Sequence, residues 1–241
     1  MVCGCRALTA KEPSLIAPQE TIITVGDRNV RLTLAVFSIG QCFIQVIDNA
    51  GPNDSAKFER LVNAMEANGC IAGCNGGFFN RHPFAPVGGM ISNSRRISAV
   101  KSKTWMKGLL VVRNGHPSLE SVDSFHDTPD ITDLLQSGTW LVRAGQSETD
   151  NSRAQVAPRT FICHDGKGRW AIGISERCTL DELAALLRND RITAIIDVRE
   201  ALNLDGGPST GLWLKGEPDD FYMPEKWPVR NYVGISPQPR Q

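Results

Sequence analysis

The segment Leu202 to Thr210, with the sequence LNLDGGPST, brings together residue types that can bind and act on a small polar ligand. Apolar and polar residues alternate in its first half, and this period of two is typical of a half-buried strand. The two leucines should therefore face a core, while Asn203 and Asp205 share the opposite face. Ser209 and Thr210 follow in the loop. An amide, a carboxylate and two hydroxyl groups thus arrive together at a strand end.

Gly206 and Gly207 permit positive φ and a close approach to the backbone, whereas Pro208 donates no hydrogen bond. A second glycine pair follows another apolar strand, in the segment NGGFF at Asn75 to Phe79. Backbone N–H groups of such loops can bind an anion, and an adjacent amide or carboxylate can orient a hydroxyl-rich or phosphorylated ligand. An ordinary turn explains either pair alone equally well. Each loop follows a strand and has an Asn or Asp before its two glycines. Because both loops share this arrangement, we expect them to meet in one pocket.

Arg159 and Thr160 stand at the start of a predicted strand, between the two loops in sequence. Arginine offers a planar fork of N–H donors that suits phosphate, and the neighbouring hydroxyl can add one more. A solvated arginine at a strand end is the structural alternative. Together with the glycine loops, the pair indicates a phosphorylated ligand.

Composition argues against several classes of partner. The 241 residues contain 26 basic and 26 acidic side chains, without a basic block or a basic-aromatic stripe, so we expect no nucleic-acid binding. No apolar run approaches the roughly 20 residues of a membrane span, and we expect none. The opening MVCGC resembles the end of a bacterial lipoprotein signal without its apolar segment, and a chance match in a cysteine-containing tail is the alternative. The protein is expected to be exported or in the cell envelope if a signal segment is missing from the N-terminus, and otherwise cytoplasmic.

The order of patterns predicts a strand-rich α+β fold, a single compact mixed α/β domain at residues 21–241 after an N-terminal tail at 1–20. Three alternating strands should open the chain. A helix capped by Asp54 or Ser55 should follow them and end at an Asn-Gly pair.

Further strands and two helices are predicted in the rest of the chain. Strands are expected at 70–74, 108–113 and 139–143, with a short helix near 131–136. The last third should contain two strands over RTFICHD and RWAIGIS, a helix over TLDELAALLRND with a capping box, and a strand at ITAIID.

The seven cysteines show no paired Cys-x-x-Cys sets, and the four histidines are scattered. If Cys70 and Cys74 lie on one strand, they are about 13 Å apart, beyond the roughly 7 Å that a disulfide tolerates. They should therefore be small core residues. We expect no metal site and no cofactor.

Taken in order, several segments resemble the phosphodiester glycosidase family over roughly residues 44–235. The most specific are NGGFF and NLDGGxST with Arg159-Thr160 between them, and PVGG, GTWLVRAG and TLDELAALL add to the likeness. Bacterial members of this family are linked to exopolysaccharide. The resemblance implies a hydrolase of compact mixed α/β fold. Its substrate would be a sugar phosphate or phosphoglycan, cleaved between a sugar anomeric carbon and a phosphodiester oxygen.

That chemistry suggests roles for the residues. Because a phosphodiester is a better leaving group than an alcohol, charge and donors on the phosphate matter more than protonation of the departing oxygen. We expect Arg159 and Asp205 to be catalytic, at the phosphate and at the anomeric carbon respectively. The candidate substrate-binding residues are Asn75, Gly76, Gly77, Phe78, Thr160, Asn203, Gly206, Gly207, Ser209, Thr210 and Arg230. Candidates for a second carboxylate, which the sequence does not rank, are Asp48, Asp197 and Glu200.

Two positions depart from the family pattern. Pro208 replaces a third glycine, and Trp227 occupies the position of an arginine near the end, with Arg230 three residues later. A non-catalytic module that binds phosphorylated or acidic glycans is therefore the alternative function. A metal-dependent phosphodiesterase is a third reading, but it would need clustered Asp and His ligands, which the scattered histidines do not favour.

Overall fold

The structure is a computed structural model that describes residues 15–102, 104–148 and 155–239, so the MVCGC segment lies outside it. The helices are α1 (Leu61–Ala67), α2 (Leu180–Leu186) and α3 (Asp190–Thr193). In chain order the strands are β1 (Pro18–Val25), β2 (Arg28–Ser38), β3 (Cys42–Asp48), β4 (Ala72–Asn75), β5 (Phe79–Arg81), β6 (Phe84–Pro86), β7 (Met90–Ser92), β8 (Arg95–Ser98), β9 (Gly108–Arg113), β10 (His116–Ser121), β11 (Ile131–Ser137), β12 (Trp140–Arg143), β13 (Gln146–Ser147), β14 (Ala157–His164), β15 (Arg169–Cys178), β16 (Glu200–Asn203), β17 (Leu212–Leu214), β18 (Phe221–Met223) and β19 (Asn231–Pro237).

Antiparallel pairing joins these strands into three larger sheets and the hairpin β5-β6. The first sheet has the order β1-β2-β15-β14-β16-β12-β13, the second β10-β9-β11-β7-β8, and the third β18-β17-β4-β19-β3. The two candidate loops leave β4 and β16, which are interior strands of the third and first sheets. The site is therefore built where strands of two sheets end.

One hydrophobic core joins the three sheets. Leu202 of the first sheet, Leu110 of the second and Val233 of the third are all fully buried in it. The other face of the first sheet packs against α2, where Phe161 and Leu183 belong to a second buried cluster. Complete burial of each such side chain contributes about 2 kcal/mol, so the strands that carry the loops are held on both faces.

Most of the predicted elements are confirmed. The three opening strands are β1, β2 and β3, and those expected in the middle are β4, β9 and β12. The two strands of the last third are β14 and β15. The capping box of α2 is also present, because Glu182 N donates to Thr179 Oγ1 at 3.1 Å and Thr179 N donates to Glu182 Oε2 at 2.8 Å.

The first helix begins later than predicted. Residues 52–54 form a separate 3-10 turn, and α1 starts at Leu61. Leu61 N donates to the buried carboxylate of Glu225 at 2.6 Å, so the helix is capped by a distant residue instead of Asp54 or Ser55. The helix ends at the predicted Asn-Gly pair.

Two predictions of secondary structure are wrong. The segment predicted as a helix near 131–136 is β11, which pairs with β9 on one side and β7 on the other. The segment ITAIID, predicted as a strand, contains the end of α3 and a turn, and Asn189 Oδ1 accepts from Arg191 N at 3.0 Å to start that helix. Both segments are short, and the period of a short apolar run does not distinguish strand from helix.

The fold is mostly β, with 48% strand and 12% helix, so the expected α+β class fits only loosely. The segment near 131–136 contributes to the difference between predicted and observed class, because it is a strand and not the predicted helix. The cysteines at 42, 70, 74, 163 and 178 are free and buried, which confirms that Cys70 and Cys74 are core residues. Among the described helices, none combines the length and apolar character required to cross a membrane.

Candidate functional site

Asn75 joins the two glycine loops. Its Nδ2 donates to the carbonyl oxygen of Asp205 at 2.7 Å. Its Oδ1 accepts from Thr160 Oγ1 at 2.7 Å and from Gly211 N at 3.1 Å. A further bond runs from Asp205 N to Gly76 O at 3.0 Å. The loops that follow β4 and β16 are therefore in contact, while a pocket shared by both stays a prediction. We call this contact the Asn75–Asp205 junction.

Asp205 is partly buried beside this junction. Gly206 N donates to its Oδ1 at 2.9 Å, and the Ser209 side chain also hydrogen-bonds to the carboxylate. Burial outweighs both bonds and raises the pKa of Asp205 to about 6. A carboxyl group with such a pKa is well suited to exchange a proton near neutral pH.

Close packing requires glycine at two loop positions. A Cβ on Gly76 would lie 2.0 Å from Oδ1 of Asn231. A Cβ on Gly206 would lie 2.9 Å from the carbonyl oxygen of Pro158 and 3.8 Å from Cδ of Arg159. Gly76 lets the first loop lie directly against Asn231. Gly206 lets the Asp205 loop lie directly against the strand that carries Arg159.

Arg159 is a buried cation that donates to backbone carbonyl groups of the described residues. Its Nε donates to Cys178 O at 3.1 Å, and its Nη2 donates to Gln155 O. Within the described residues it forms no ion pair with a carboxylate. Burial lowers the pKa of Arg159, but an arginine starts high enough to remain charged. Because an unpaired buried charge is costly, this position favours an anionic ligand.

Three buried polar atoms around the loops lack a hydrogen-bond partner among the described residues. They are Oδ1 of Asn203, Oγ1 of Thr210 and Nδ2 of Asn231. Buried polar groups in proteins are normally paired, so these atoms indicate a polar ligand or bound water. An amide oxygen, a hydroxyl group and an amide nitrogen together match the donors and acceptors of sugar hydroxyl groups.

The sequence reasoning missed Asn231. Its Oδ1 accepts from Gly77 N at 2.7 Å, and its carbonyl oxygen accepts from Gly76 N at 2.9 Å. It therefore fixes the first loop from the neighbouring strand β19. The only signal in the sequence is a polar residue at the head of an otherwise apolar strand.

An aromatic surface borders the polar atoms. Phe78 packs edge-on against Trp105, with ring centroids 4.7 Å apart, and Trp105 is 41% exposed. Trp105 lies so close to Gly138 that a Cβ there would be 2.4 Å from the ring. The preceding Ser137 donates through Oγ to Asn203 O at 2.9 Å, which links this surface to the site. The sequence analysis did not single out Trp105.

The side chain of Arg230 bonds to residues outside the Asn75–Asp205 junction. Its guanidinium pairs with Asp48, which also pairs with Arg95, and its Nε donates to Phe84 O at 2.8 Å. These contacts use Arg230 within the fold, and its binding of substrate stays a prediction.

The other candidate carboxylates are also paired. Oδ1 of Asp197 lies 3.0 Å from Nη1 of Arg188, and Oε2 of Glu200 lies 3.1 Å from Nε2 of His164. In the described part of the chain, neither hydrogen-bonds to the Asn75–Asp205 junction. The carboxylate that the sequence analysis overlooked is Glu225, whose Oε2 would lie 3.2 Å from a Cβ on Gly211.

Glu225 is already committed to the fold. Its Oε1 caps α1, and its Oε2 accepts from the hydroxyl of Tyr222 at 3.3 Å. Among the described residues, no three His, Cys, Asp or Glu side chains converge in an arrangement that could hold a metal ion. Of these carboxylates, Asp205 is the one that belongs to the Asn75–Asp205 junction, and it forms no ion pair within the described residues.

Comparison with protein families gives a match over residues 68–236 to a family described as phosphodiester glycosidase. Two curated proteins are also similar, both called N-acetylglucosamine-1-phosphodiester alpha-N-acetylglucosaminidase. The protein from Bos taurus is 28% identical over 217 residues, covering 76% of this chain and 39% of the relative. That from Homo sapiens is 27% identical over 211 residues, covering 76% and 40%. The chain thus spans about two fifths of the length of these relatives.

Solved structures share the fold. The zebrafish N-acetylglucosamine-1-phosphodiester alpha-N-acetylglucosaminidase catalytic domain, described as auto-inhibited by its pro-peptide, aligns with a TM-score of 0.68 at 20% identity. The alignment covers 94% of this chain and 85% of that domain. A hypothetical protein from Synechocystis aligns with a TM-score of 0.63 at 15% identity, covering 91% and 62%. The mostly β arrangement is therefore common to these proteins.

Proposed function

Because the chain belongs to the phosphodiester glycosidase family, we propose that it hydrolyses the bond between a sugar anomeric carbon and a phosphodiester oxygen. The observation that carries this proposal is a buried arginine with no carboxylate partner among the described residues, packed directly against the loop of a carboxyl group whose pKa is raised. A cation for a phosphate and a carboxylate for the adjacent carbon are the two groups that this reaction needs.

Arg159 binds the phosphate in this scheme. Its Nε and Nη2 hold backbone carbonyls, which fixes the guanidinium plane, and its Nη1 is not bonded to any described residue. Negative charge increases on the phosphate as the bond to the sugar breaks. A fixed cation therefore stabilises the transition state more than the bound substrate.

Asp205 acts at the anomeric carbon as the ionised carboxylate. It stabilises positive charge there, attacks the carbon, or activates water. In the overall reaction the anomeric C–O bond breaks, and water supplies the new hydroxyl group of the sugar. The phosphodiester leaves as a phosphomonoester, which takes up the remaining proton of the water. Whether the phosphomonoester then releases this proton to solvent depends on pH. Arg159 lowers the need for an acid at the departing oxygen.

The unpaired atoms of Asn203, Thr210 and Asn231 bind the hydroxyl groups of the sugar, with Asn75 holding their loops together. The names of the two curated relatives support N-acetylglucosamine in α-linkage as the sugar. Trp105 offers an exposed aromatic ring beside these groups, which suits an apolar sugar face or acetamido methyl group.

Pro208 is compatible with this activity. It stands in the first turn of the 3-10 segment Gly207–Ser209, where a missing N–H leaves no internal hydrogen bond unmade. The backbone N–H of Gly206 already serves the carboxylate of Asp205. The departure from the family pattern thus removes a donor without removing the carboxylate or the arginine.

Product analysis in oxygen-18 water tests the proposal. We expect α-N-acetylglucosamine-1-phosphodiesters to give free sugar labelled at the anomeric hydroxyl group, together with an unlabelled phosphomonoester. Sugar 1-phosphate with labelled phosphate would instead show cleavage of the phosphorus–oxygen bond. Binding of a panel of such diesters without turnover would favour the non-catalytic glycan-binding module.

A further inference from the structure

A cleft of about 790 Å³ opens beside the Asp205 loop. One wall is the face of the first sheet formed by β1, β2 and β15. The opposite wall is β18 and the residues that follow it. Pro158, Gly207 and Thr210 form the end shared with the candidate site. Thr210 has a buried hydroxyl without a partner among the described residues, and Pro158 precedes Arg159, so this end of the cleft adjoins the candidate site in the chain.

The cleft has an excess of positive charge. Its cations are Arg28, Arg31, Arg177 and Lys226, against the carboxylates Glu20 and Glu176. Arg28 pairs with Glu182 at 2.6 Å, and Arg177 donates to the carbonyl oxygen of Val156 at 2.9 Å.

Arg31 and Lys226 differ from those two cations. Their backbone N–H groups are bonded, to Glu176 Oε2 and to Pro208 O respectively. Within the described residues, neither side chain forms an ion pair or a hydrogen bond. Both line the cleft from different elements, Arg31 on β2 and Lys226 after β18, so an anion bound in the cleft is attracted to both.

Part of the lining is apolar. Ile174 lies on one wall, and Phe221 and Met223 lie on the other. Met223 is 48% exposed, so its apolar side chain is accessible to a ligand in the cleft. A ligand with a short carbon chain and a terminal anionic group fits this combination better than a small neutral alcohol does.

We propose that this cleft binds the leaving-group side of the substrate, and that the leaving group carries a second anionic group in addition to the phosphodiester. The orientation of the substrate in the cleft rests on the proposed function. The sugar occupies the polar atoms at the junction, the phosphodiester lies on Arg159, and the carbon chain runs along Phe221 and Met223. The second anion lies between Arg31 and Lys226.

The first experiment compares three α-N-acetylglucosamine-1-phosphodiesters. The alcohols esterified to their phosphate are methanol, 3-hydroxypropanoate and propane-1,3-diol monophosphate, so the phosphomonoesters that leave carry no second anionic group, a carboxylate and a second phosphate respectively. We expect kcat/KM to be about tenfold higher for the charged leaving groups, with the preference reduced at 0.5 M salt. Comparing the last two substrates distinguishes a carboxylate from a phosphate as the second anion.

The double variant Arg31→Ala/Lys226→Ala should lose this preference while its kcat/KM for the methyl diester stays within about twofold of the wild type. Arg169→Ala is the matched control, because it removes an exposed cation from β15 outside the cleft. It should retain the preference. Turnover of all three diesters at equal kcat/KM, or a preference that survives in the double variant, would overturn the cleft assignment and leave the proposed hydrolysis standing.

A binding measurement tests the cleft without turnover. Propane-1,3-diol bisphosphate, the free leaving group with both anions, is titrated calorimetrically into the wild type, the double variant and Arg169→Ala. We expect affinity to fall about tenfold or more in the double variant alone. If no diester is hydrolysed but this difference is found, the proposed function fails and the cleft remains an anion site. Equal affinity in all three proteins overturns the cleft proposal.

Discussion

The side-chain amide of Asn75 donates to the backbone carbonyl of Asp205 at 2.7 Å, although the two residues are 130 positions apart. The oxygen of the same amide, Oδ1, accepts from Thr160 Oγ1. Thr160 directly follows Arg159 on β14. One buried side chain therefore fixes the Asp205 loop relative to the strand that carries Arg159. The position of the carboxylate relative to the cation depends on this amide.

Asn75→Asp tests that relationship. The substitution keeps the shape but places a carboxylate oxygen against the carbonyl of Asp205, so the unfolding free energy should fall by about 1–3 kcal/mol and kcat should fall with it. Chemical denaturation and turnover measure the two effects. Asn80→Asp, at an exposed position of β5, is the control and should change neither. Unchanged stability in Asn75→Asp would show that the junction is held by other contacts.

Asp205→Asn separates a catalytic role from a structural one. If the carboxylate acts at the anomeric carbon, turnover should fall by about two orders of magnitude or more, while Tm and affinity for a non-hydrolysable diester stay near those of the wild type. An Asp205 that merely holds the turn would lose stability, affinity and turnover together. Near-normal turnover would remove Asp205 from the mechanism.

The pH dependence of kcat/KM should report Asp205. Its pKa is raised to about 6 and the proposed role needs the ionised form, so activity should decrease as pH falls through about 6. The phosphodiester itself stays ionised over this range. A profile that instead declines above pH 6 would identify Asp205 as a proton donor.

Stability gives an independent check of the same group. Because the folded pKa of about 6 lies above the ordinary value of 3.8, the folded state binds the proton more tightly than the unfolded state. This contribution to stability is fully present below pH 3.8 and is lost as pH rises through about 6. The difference in unfolding free energy between the wild type and Asp205→Asn should therefore change across that window and be constant above it.

Arg159→Lys and Arg159→Ala test the phosphate contact. Lysine keeps the charge but not the fork that holds Cys178 O and Gln155 O, so kcat/KM should fall, and it should fall further in the alanine variant. Affinity for the free phosphomonoester should decrease in the same order. Equal phosphomonoester affinity in all three proteins would exclude Arg159 as the phosphate ligand.

Hydrolysis should survive exhaustive treatment with a chelator. Neither the sequence nor the described side chains offer a cluster of metal ligands, and the proposed scheme draws its positive charge from arginine. Turnover is measured before and after treatment with EDTA. Activity that is lost and then restored by one divalent ion would overturn the metal-free scheme.

The sequence by itself determined the strands that carry the site. Alternation over β1, β2, β3 and β16, and the capping box of α2, are local signals, and each was read from neighbouring residues. The two glycine loops were recognised in the same way, since an Asn or Asp followed by two glycines marks a strand end without knowledge of the partner. The order of these segments also indicated the family.

Tertiary structure alone decided which distant groups meet. The helix predicted near 131–136 became β11 because partners on both sides complete its hydrogen bonds, which no local pattern records. Glu225 caps α1 from 164 positions away, and Asn231 fixes the first loop from the last strand. The raised pKa of Asp205 likewise depends on burial between loops far apart in sequence. Polar residue types set the chemistry that is available, but their desolvation and pairing depend on long-range packing.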